Sequence, residues 1–221
     1  MQDDISTQKM RTIYCLERQR PETVLQILHF RKRILVDRYG WDLAVSGDIE
    51  RDEFDTDAAV HGAIYDGEAI KACFRLIRTD YPYLAREKFP HLATSKPYPQ
   101  SSAIWEISRL ALAEDKRPFE TLLYAYSAIF DFARRRGAVS LVAFADLAKE
   151  RLVNRIGIVT DLLGPPVEIG SDRFGRPIVV VAGELPLRLQ GGPRFEKLLS
   201  YVHKTEIDDA AAIFGRARIS A

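Results

Sequence analysis

The sequence predicts an α/β (α+β) fold, a mixed, twisted sheet flanked by helices in a single domain. Three observations lead there. The chain has 221 residues, 47% hydrophobic and 29% charged, enough to bury roughly 70% of its unfolded surface without disulfide or metal staples. Segments with the two-residue period of strands are interleaved with segments of helical period. No stretch reads as an interdomain linker and no repeat recurs.

The elements follow in order. A helix begins near Pro21, a residue suited to the first helical position, and Val24, Leu25, Leu28, Ile34 and Leu35 recur at helical spacing until Gly40. Residues 41–57 hold seven carboxylates against one Arg51 and read as an acidic loop. Residues 58–65 and 69–77 read as two strands around an Asp66-Gly67 turn. Four prolines then punctuate an irregular connection as far as Pro99. Residues 103–111 form a strand, Pro118 opens a second helix that Gly137 ends, and residues 139–144 form a buried strand. A short helix over 147–155, strands near Val167 and over 178–182, and a helix near 195–203 complete the pattern.

Composition excludes several functions. Thirty-two basic residues offset 31 acidic ones, for a net charge of +1, so binding nucleic acid through bulk charge is not supported. Cys15 and Cys73 form no Cys-x-x-Cys pair, and His29, His61, His91 and His203 are scattered. Neither a disulfide scaffold nor a zinc site is predicted, and no metal is expected. No apolar run approaches the roughly 20 residues that span a bilayer. The polar start, Met1 to Thr7, is not a secretory signal. A cytoplasmic protein is expected.

Four clusters carry chemistry. Arg31, on the first helix, offers a planar fork for a carboxylate or phosphate, or is a solvated helical charge. Trp41 offers a stacking surface, or is core. Asp52 and Asp55 present two carboxylates for a cation, or form an acidic turn. Arg75 shares a strand face with Lys71 and Cys73, and an inward arginine must be paired or meet a ligand. In Trp105-Glu106-Ile107-Ser108-Arg109, alternation puts Glu106 and Ser108 on one face and Arg109 on the other, unless a bulge intervenes. Glu106, flanked by Ile104, Trp105 and Ile107, is the best general-base candidate, because partial burial raises a carboxyl pKa toward the working range. Its competing role is a salt bridge to Arg75 or Arg109.

Singly these signals are weak, but their order and spacing are not. The run Arg31…Trp41…Asp52-x-Phe54-Asp55…Arg75-Leu76…Thr79…Trp105-Glu106-x-Ser108-Arg109 closely resembles the LuxI-type acyl-homoserine-lactone synthases, the autoinducer synthases. The match departs at Leu35, where the family has Phe, at Ala72 for Gly, at Arg78 for Pro and at Leu110 for Phe. None of these removes a titratable group.

The resemblance implies a fold similar to the GNAT acyltransferases. It implies a reaction in which the amine of S-adenosylmethionine, a substrate and not a cofactor, attacks an acyl thioester on acyl carrier protein or coenzyme A. The methionine carboxylate then closes a lactone and expels methylthioadenosine, giving a quorum-sensing signal. Glu106 would accept the amine proton. Arg31 would orient the substrate carboxylate, with Asp52, Asp55, Arg75 and Arg109 around it. Asp52 and Asp55 would meet cationic groups of the substrate, or tie their loop to Arg75 and Arg109. Trp41 would cover the S-adenosylmethionine pocket beside Leu35 and Ser108. Within the one domain, 1–221, residues 21–113 would hold the S-adenosylmethionine and catalytic motifs, 114–205 the acyl-chain and donor half, and 206–221 a tail. Leu122, Tyr126 and Ala143 would line the acyl chain, or simply be core. Members that make 3-oxo signals often have Thr where this chain has Ala143, so a chain without a 3-oxo group is expected. Arg134, Arg135, Arg136, Lys149, Arg151 and Arg155 form a candidate docking patch for the donor, or solvated helix ends. Two other readings remain at this point: a GNAT-like N-acyltransferase on another amine, and a non-catalytic relative that binds acyl carrier protein.

Overall fold

Strand alternation explains the centre of the molecule. In the computed structural model, which describes residues 10–171 and 174–211, Val60–Asp66 (here β4) and Ala69–Arg78 (β5) form the expected hairpin. The turn residue Gly67 takes φ +59°, open to glycine without steric cost. Phe74 and Leu76 point to one side of the sheet and Cys73 to the other. A register shift between Ile64 and Tyr65 puts Ile70 on the Cys73 side, against simple alternation. The Phe74 ring packs against Gly62, where any Cβ would come within 2.1 Å of it.

Around this hairpin the sheet runs β11-β1-β4-β5-β6-β7-β10-β8, with β9 also on β10. The remaining strands are β1 (Arg11–Cys15), β6 (Ile104–Leu112), β7 (Ser140–Asp146), β8 (Asp161–Leu162), β9 (Val167–Ser171), β10 (Pro177–Pro186) and β11 (Glu206–Asp209). β1 and β11 lie outside the elements expected from sequence. β11 occupies the start of the expected tail, and residues 212–221 of that tail, like Met1 to Thr7, lie outside the described residues.

One helical layer consists of α3 (Pro118–Arg135), α4 (Leu147–Arg155) and α5 (Pro193–Leu199), packed over Trp105, Ile107, Leu141 and Leu185. On the other side, α1 (Pro21–Arg31) covers Cys15, Ala63 and Cys73. The first helix does not run on as a single α-helix: Lys32–Arg38 is a π-helix, a wide turn that is rare and frequent near functional sites. The acidic loop contains a small hairpin, β2 (Val45–Ser46) with β3 (Ile49–Glu50). The proline-rich connection contains α2 (Leu84–Lys88), which packs with Ile77, Val142 and Val180.

One irregularity shapes the site. β6 and β7 are parallel and paired only from Ile104–Glu106 to Ser140–Val142. β6 continues to Leu112 and β7 to Asp146, so the two strands part beyond Glu106 and Val142. Among the described residues, no helix is long and apolar enough to cross a membrane.

Candidate active site

The site is built where β5 and β6 slip. Their pairing shifts between Cys73 and Arg75, and Arg109 takes φ +55°, the one non-glycine residue with positive φ among those described. Such a conformation costs on the order of 1–3 kcal/mol and persists only where its surroundings hold it. The bulge turns Arg109 back to the face of Ser108, so the alternation expected from sequence is corrected there.

Arg109 thereby joins a closed set of charges. Its Nε donates to Glu50 at 3.0 Å and its Nη2 to Asp52 at 2.5 Å. Arg31 donates from Nε to Glu50 at 2.5 Å, and from both Nη atoms to Asp55 at 2.7 and 2.9 Å. Arg75 reaches Asp52 at 2.5 Å, Asp55 at 2.9 Å and the Ser108 hydroxyl at 3.1 Å. Three guanidiniums thus meet three carboxylates. Burial works against every one of these charges, and the mutual pairing offsets it. At Asp55 burial raises the pKa, but hydrogen bonds and charge from Arg31, then Arg75, hold the carboxyl well below its usual range.

Glu106 stands beside this set and outside it. It is 0% exposed. Its Oε1 accepts the Ala85 N–H at 2.7 Å, and its Oε2 has no hydrogen-bond partner. The salt bridge to Arg75 or Arg109 weighed from sequence does not form. Burial pushes its pKa up, and the Ala85 N–H and the Arg75 charge only partly oppose that shift. A buried carboxyl with one free oxygen and raised proton affinity is equipped to take a proton.

Comparison with known proteins decides what this site belongs to. The pattern that defines the autoinducer synthases matches residues 16–180. The chain belongs to that family. An acyl-homoserine-lactone synthase of Ralstonia nicotianae is 35% identical over 169 residues, 72% of this chain and 81% of that one. That of Aeromonas salmonicida is 32% identical over 165 residues, 71% and 80% of the two chains. The structure of TofI in a ternary complex with an inhibitor and MTA superposes with a TM-score of 0.67 at 30% identity, covering 86% of this chain and 96% of the other. A CoA-dependent synthase, BjaI, shares the fold with a TM-score of 0.76 at 21% identity, covering 90% and 93%. This autoinducer synthase is therefore an acyltransferase of the acyl-homoserine-lactone synthase class.

The synthase places its other expected residues unevenly. Arg31 is buried with its donors engaged by Glu50 and Asp55. Asp52 pairs with Arg75 and Arg109, and Asp55 with Arg31 and Arg75. Leu35, in the π-helix, is wholly buried core, and its carbonyl accepts the Trp41 N–H at 3.0 Å. Trp41 is 41% exposed, with Lys149 Nζ 5.5 Å from its ring centroid. Leu122, Tyr126 and Ala143 are half-buried on the α3 side of the sheet.

The docking set is not one patch of free cations. Arg135 is paired with Asp131 at 2.6 Å and Arg136 with Asp209 at 2.8 Å. Lys149 is at the start of α4, paired with Asp146 at 2.9 Å, and Arg155 is at the opposite end of that helix. Arg134, Arg151 and Arg155 are exposed.

Two residues escaped the sequence reading. Glu50 bridges Arg31 and Arg109 from full burial. Its signal was the Ser46-Gly47-Asp48 turn, which folds β2 onto β3 and carries Glu50 inward. His61 is 1% exposed and neither ring nitrogen has a hydrogen-bond partner. Burial lowers its pKa to about 4, Asp55 opposing and Arg31 and Arg75 reinforcing.

His61 makes a pH prediction. The unfolded imidazole binds a proton near pH 6.5 and the folded one near 4, so stability falls as pH drops through that window. The loss attributable to His61 is about 3 kcal/mol at the low end. Urea unfolding at pH 4.5 and 7 should show a smaller pH difference in His61→Phe than in the parent. An equal difference in both proteins would remove His61 from the account.

Proposed function

We propose that this synthase transfers an acyl group from a thioester to the amine of S-adenosylmethionine, with Glu106 as the base, and then lets the product close to a lactone. In the first step the amine nitrogen bonds to the acyl carbon, the carbon–sulfur bond breaks, the sulfur leaves as thiolate, and one amine proton passes to Glu106. In the second the methionine carboxylate attacks its own γ-carbon and expels methylthioadenosine. The sulfonium is already a good leaving group, so this step needs chiefly the right conformation of the bound molecule. Holding amine and thioester together lowers the barrier by several kcal/mol at most sites of this kind, on the order of 7–11 for ideal alignment.

The observation that carries this reading is the buried Glu106 carboxyl, fixed by one peptide N–H and free at its other oxygen. The ion-paired set beside it supports a supporting role for Arg31, Glu50, Asp52, Asp55, Arg75 and Arg109: they hold the loop and the bulged strand against which the substrate binds. The MTA in the TofI complex is consistent with methylthioadenosine as the by-product. Trp41, exposed at the edge of this region, is assigned to covering S-adenosylmethionine. Ser108 orients Arg75.

The acyl chain is assigned to the opening where β6 and β7 part, between Leu122, Tyr126 and Ala143. Ala143 has no hydrogen-bonding side chain, which favours a chain without a 3-oxo group. Exposed Arg134, Arg151 and Arg155 suit an acidic carrier protein, and equally the phosphates of coenzyme A.

The test is turnover with S-adenosylmethionine and a panel of acyl carrier protein and coenzyme A thioesters, read by mass spectrometry. Methylthioadenosine together with one acyl-homoserine lactone is the expected result. An acylated amine without methylthioadenosine, or no turnover by folded protein, would overturn the scheme.

A further inference from the structure

The connection between β5 and β6 carries Pro82, Pro90, Pro97 and Pro99 and returns on itself. Thr79, just past β5, is fully buried. Its hydroxyl donates to Ser101 O and accepts the Ser101 N–H, both at 3.0 Å, and its N–H donates to Ile104 O at 2.9 Å. Ile104 is the first residue of β6, so the connection is closed at the base of the strand that carries Glu106. Between its ends lies α2, which donates the Ala85 N–H to Glu106. α2 has five residues, too few to hold its own shape, since isolated helices shorter than roughly 12–15 residues are marginal in water. Its position must come from its surroundings.

Two tyrosines supply it. Tyr83 directly precedes α2 in extended backbone, and its hydroxyl donates to Pro99 O at 2.8 Å. Tyr98 donates its hydroxyl to Phe89 O, directly after α2, at 3.2 Å. The two rings meet edge to face with centroids 6.1 Å apart, buried with Ile77, Leu84 and Val142. The start and the end of α2 are thus both tied to Pro97-Tyr98-Pro99, whose backbone the prolines restrict. Each phenol has one O–H, and each uses it on a main-chain carbonyl. Glu106 Oε2 stays without a partner. Burial, then the Glu106 charge, push both phenols above their ordinary pKa, so both remain donors. Around Glu106 itself the groups that act on its charge are the Ala85 N–H, Arg75, the Ser108 hydroxyl and the Leu84 N–H, in that order.

We propose that Tyr83 and Tyr98 are positioning residues for the base: by fixing both ends of α2 they hold the Ala85 N–H against one oxygen of Glu106 and leave the other oxygen for the substrate amine. The inference rests on the reading of Glu106 as that base. A reacting group must be held to about 0.5 Å by neighbours that are themselves locked, and a single main-chain bond from a short helix meets that need only if the helix cannot shift. The same bond favours the charged carboxylate. Loosening it moves the carboxyl and also lets burial raise its proton affinity further, so the carboxylate form is reached only at higher pH.

The experiment measures steady-state kinetics against pH for the full chain, Tyr83→Phe and Tyr98→Phe, with S-adenosylmethionine and a thioester that the parent turns over. Each substitution is also made in the Glu106→Gln background. Phenylalanine keeps the ring and its packing and removes only the tether. The expected result is a kcat lower by about fivefold to tenfold, a fraction of what a positioned base contributes, with both KM values within about twofold of the parent. The acidic limb of the kcat profile should move to higher pH by about half a unit or more. In the Glu106→Gln background neither substitution should change the residual rate, because the group they act through is gone. An unmoved kcat and acidic limb, even with a lowered urea midpoint, would make the tyrosines structural only and overturn the inference. An equal loss of rate in the Glu106→Gln background would overturn it too. If Tyr83→Phe does not fold, Tyr98→Phe, which removes the longer of the two bonds, decides between the same outcomes. Full activity of Glu106→Gln alone would instead sink the base itself, a result distinct from an inactive Glu106→Gln beside unaltered tyrosine variants.

Discussion

Glu106→Gln should abolish most of the activity and leave the protein folded. A positioned general base contributes about 10²–10⁴ in rate, so kcat should fall by at least about a hundredfold. The amide is nearly isosteric, and its oxygen can still accept the Ala85 N–H that Oε1 accepts now at 2.7 Å. What it loses is the ability to take a proton. Stability should move the other way. The folded pKa of Glu106 is raised by burial, so its favourable contribution is complete below the unfolded value and is lost as pH rises through the folded one. Above the unfolded pKa the parent bears the cost of a site that disfavours the charged carboxyl, and the glutamine protein does not. The two readouts together separate the proposed role from a structural one: product formation by mass spectrometry, and the urea midpoint at pH 7. A hundredfold loss with an unchanged or higher midpoint fits a base. Full activity in the variant would remove Glu106 from that role, and a collapse of both readouts would mark it as structural.

Much of this site was legible in the sequence, and its blind spots share a cause. Arg31, Asp52, Asp55, Arg75, Glu106 and Arg109 stand at spacings that single them out, and they converge in space. Which partner each one takes was not legible, because pairing depends on local backbone departures. Arg109 faces the carboxylates only through a positive φ, and nothing in Ser108-Arg109-Leu110 announces it. The helix expected from Pro21 to Gly40 is α-helical only to Arg31 and then widens into a π-helix; the apolar spacing of Ile34 and Leu35 looks α-helical in either form. Glu50 was hidden inside an acidic run whose charges looked interchangeable. Burial distinguishes them: Glu50 is sealed between Arg31 and Arg109, whereas Glu53 faces solvent against Lys88. β1 and β11 went unread for a different reason. Each is five residues or fewer, and β11 gains its place by pairing with β1 across almost the whole chain.

Asp55→Ala should cost the fold about 3–5 kcal/mol, the range seen when one member of a buried ion pair is removed. The count of charges gives the reason. Arg31, Arg75 and Arg109 balance Glu50, Asp52 and Asp55, and Asp55 is the member that touches both Arg31 and Arg75. Those two arginines are among the largest fully buried side chains in the molecule. Neither can shed its proton near neutral pH, so removal of Asp55 strands positive charge in a place water does not reach. His61 cannot relieve it, since its neutral ring carries no negative charge and faces the same guanidiniums. The matched control is Glu53→Ala, two residues away, whose partner Lys88 is exposed; surface pairs of this kind contribute little. Denaturant unfolding of the two variants beside the parent decides the matter. A large loss for Asp55 with Glu53 near the parent makes the six-charge set a single structural unit, on which the geometry around Glu106 depends. Equal, small losses would mean that the arginines find other partners, and that the loop from Asp52 to Asp55 is held by packing of Phe54 beneath Arg75 and not by charge.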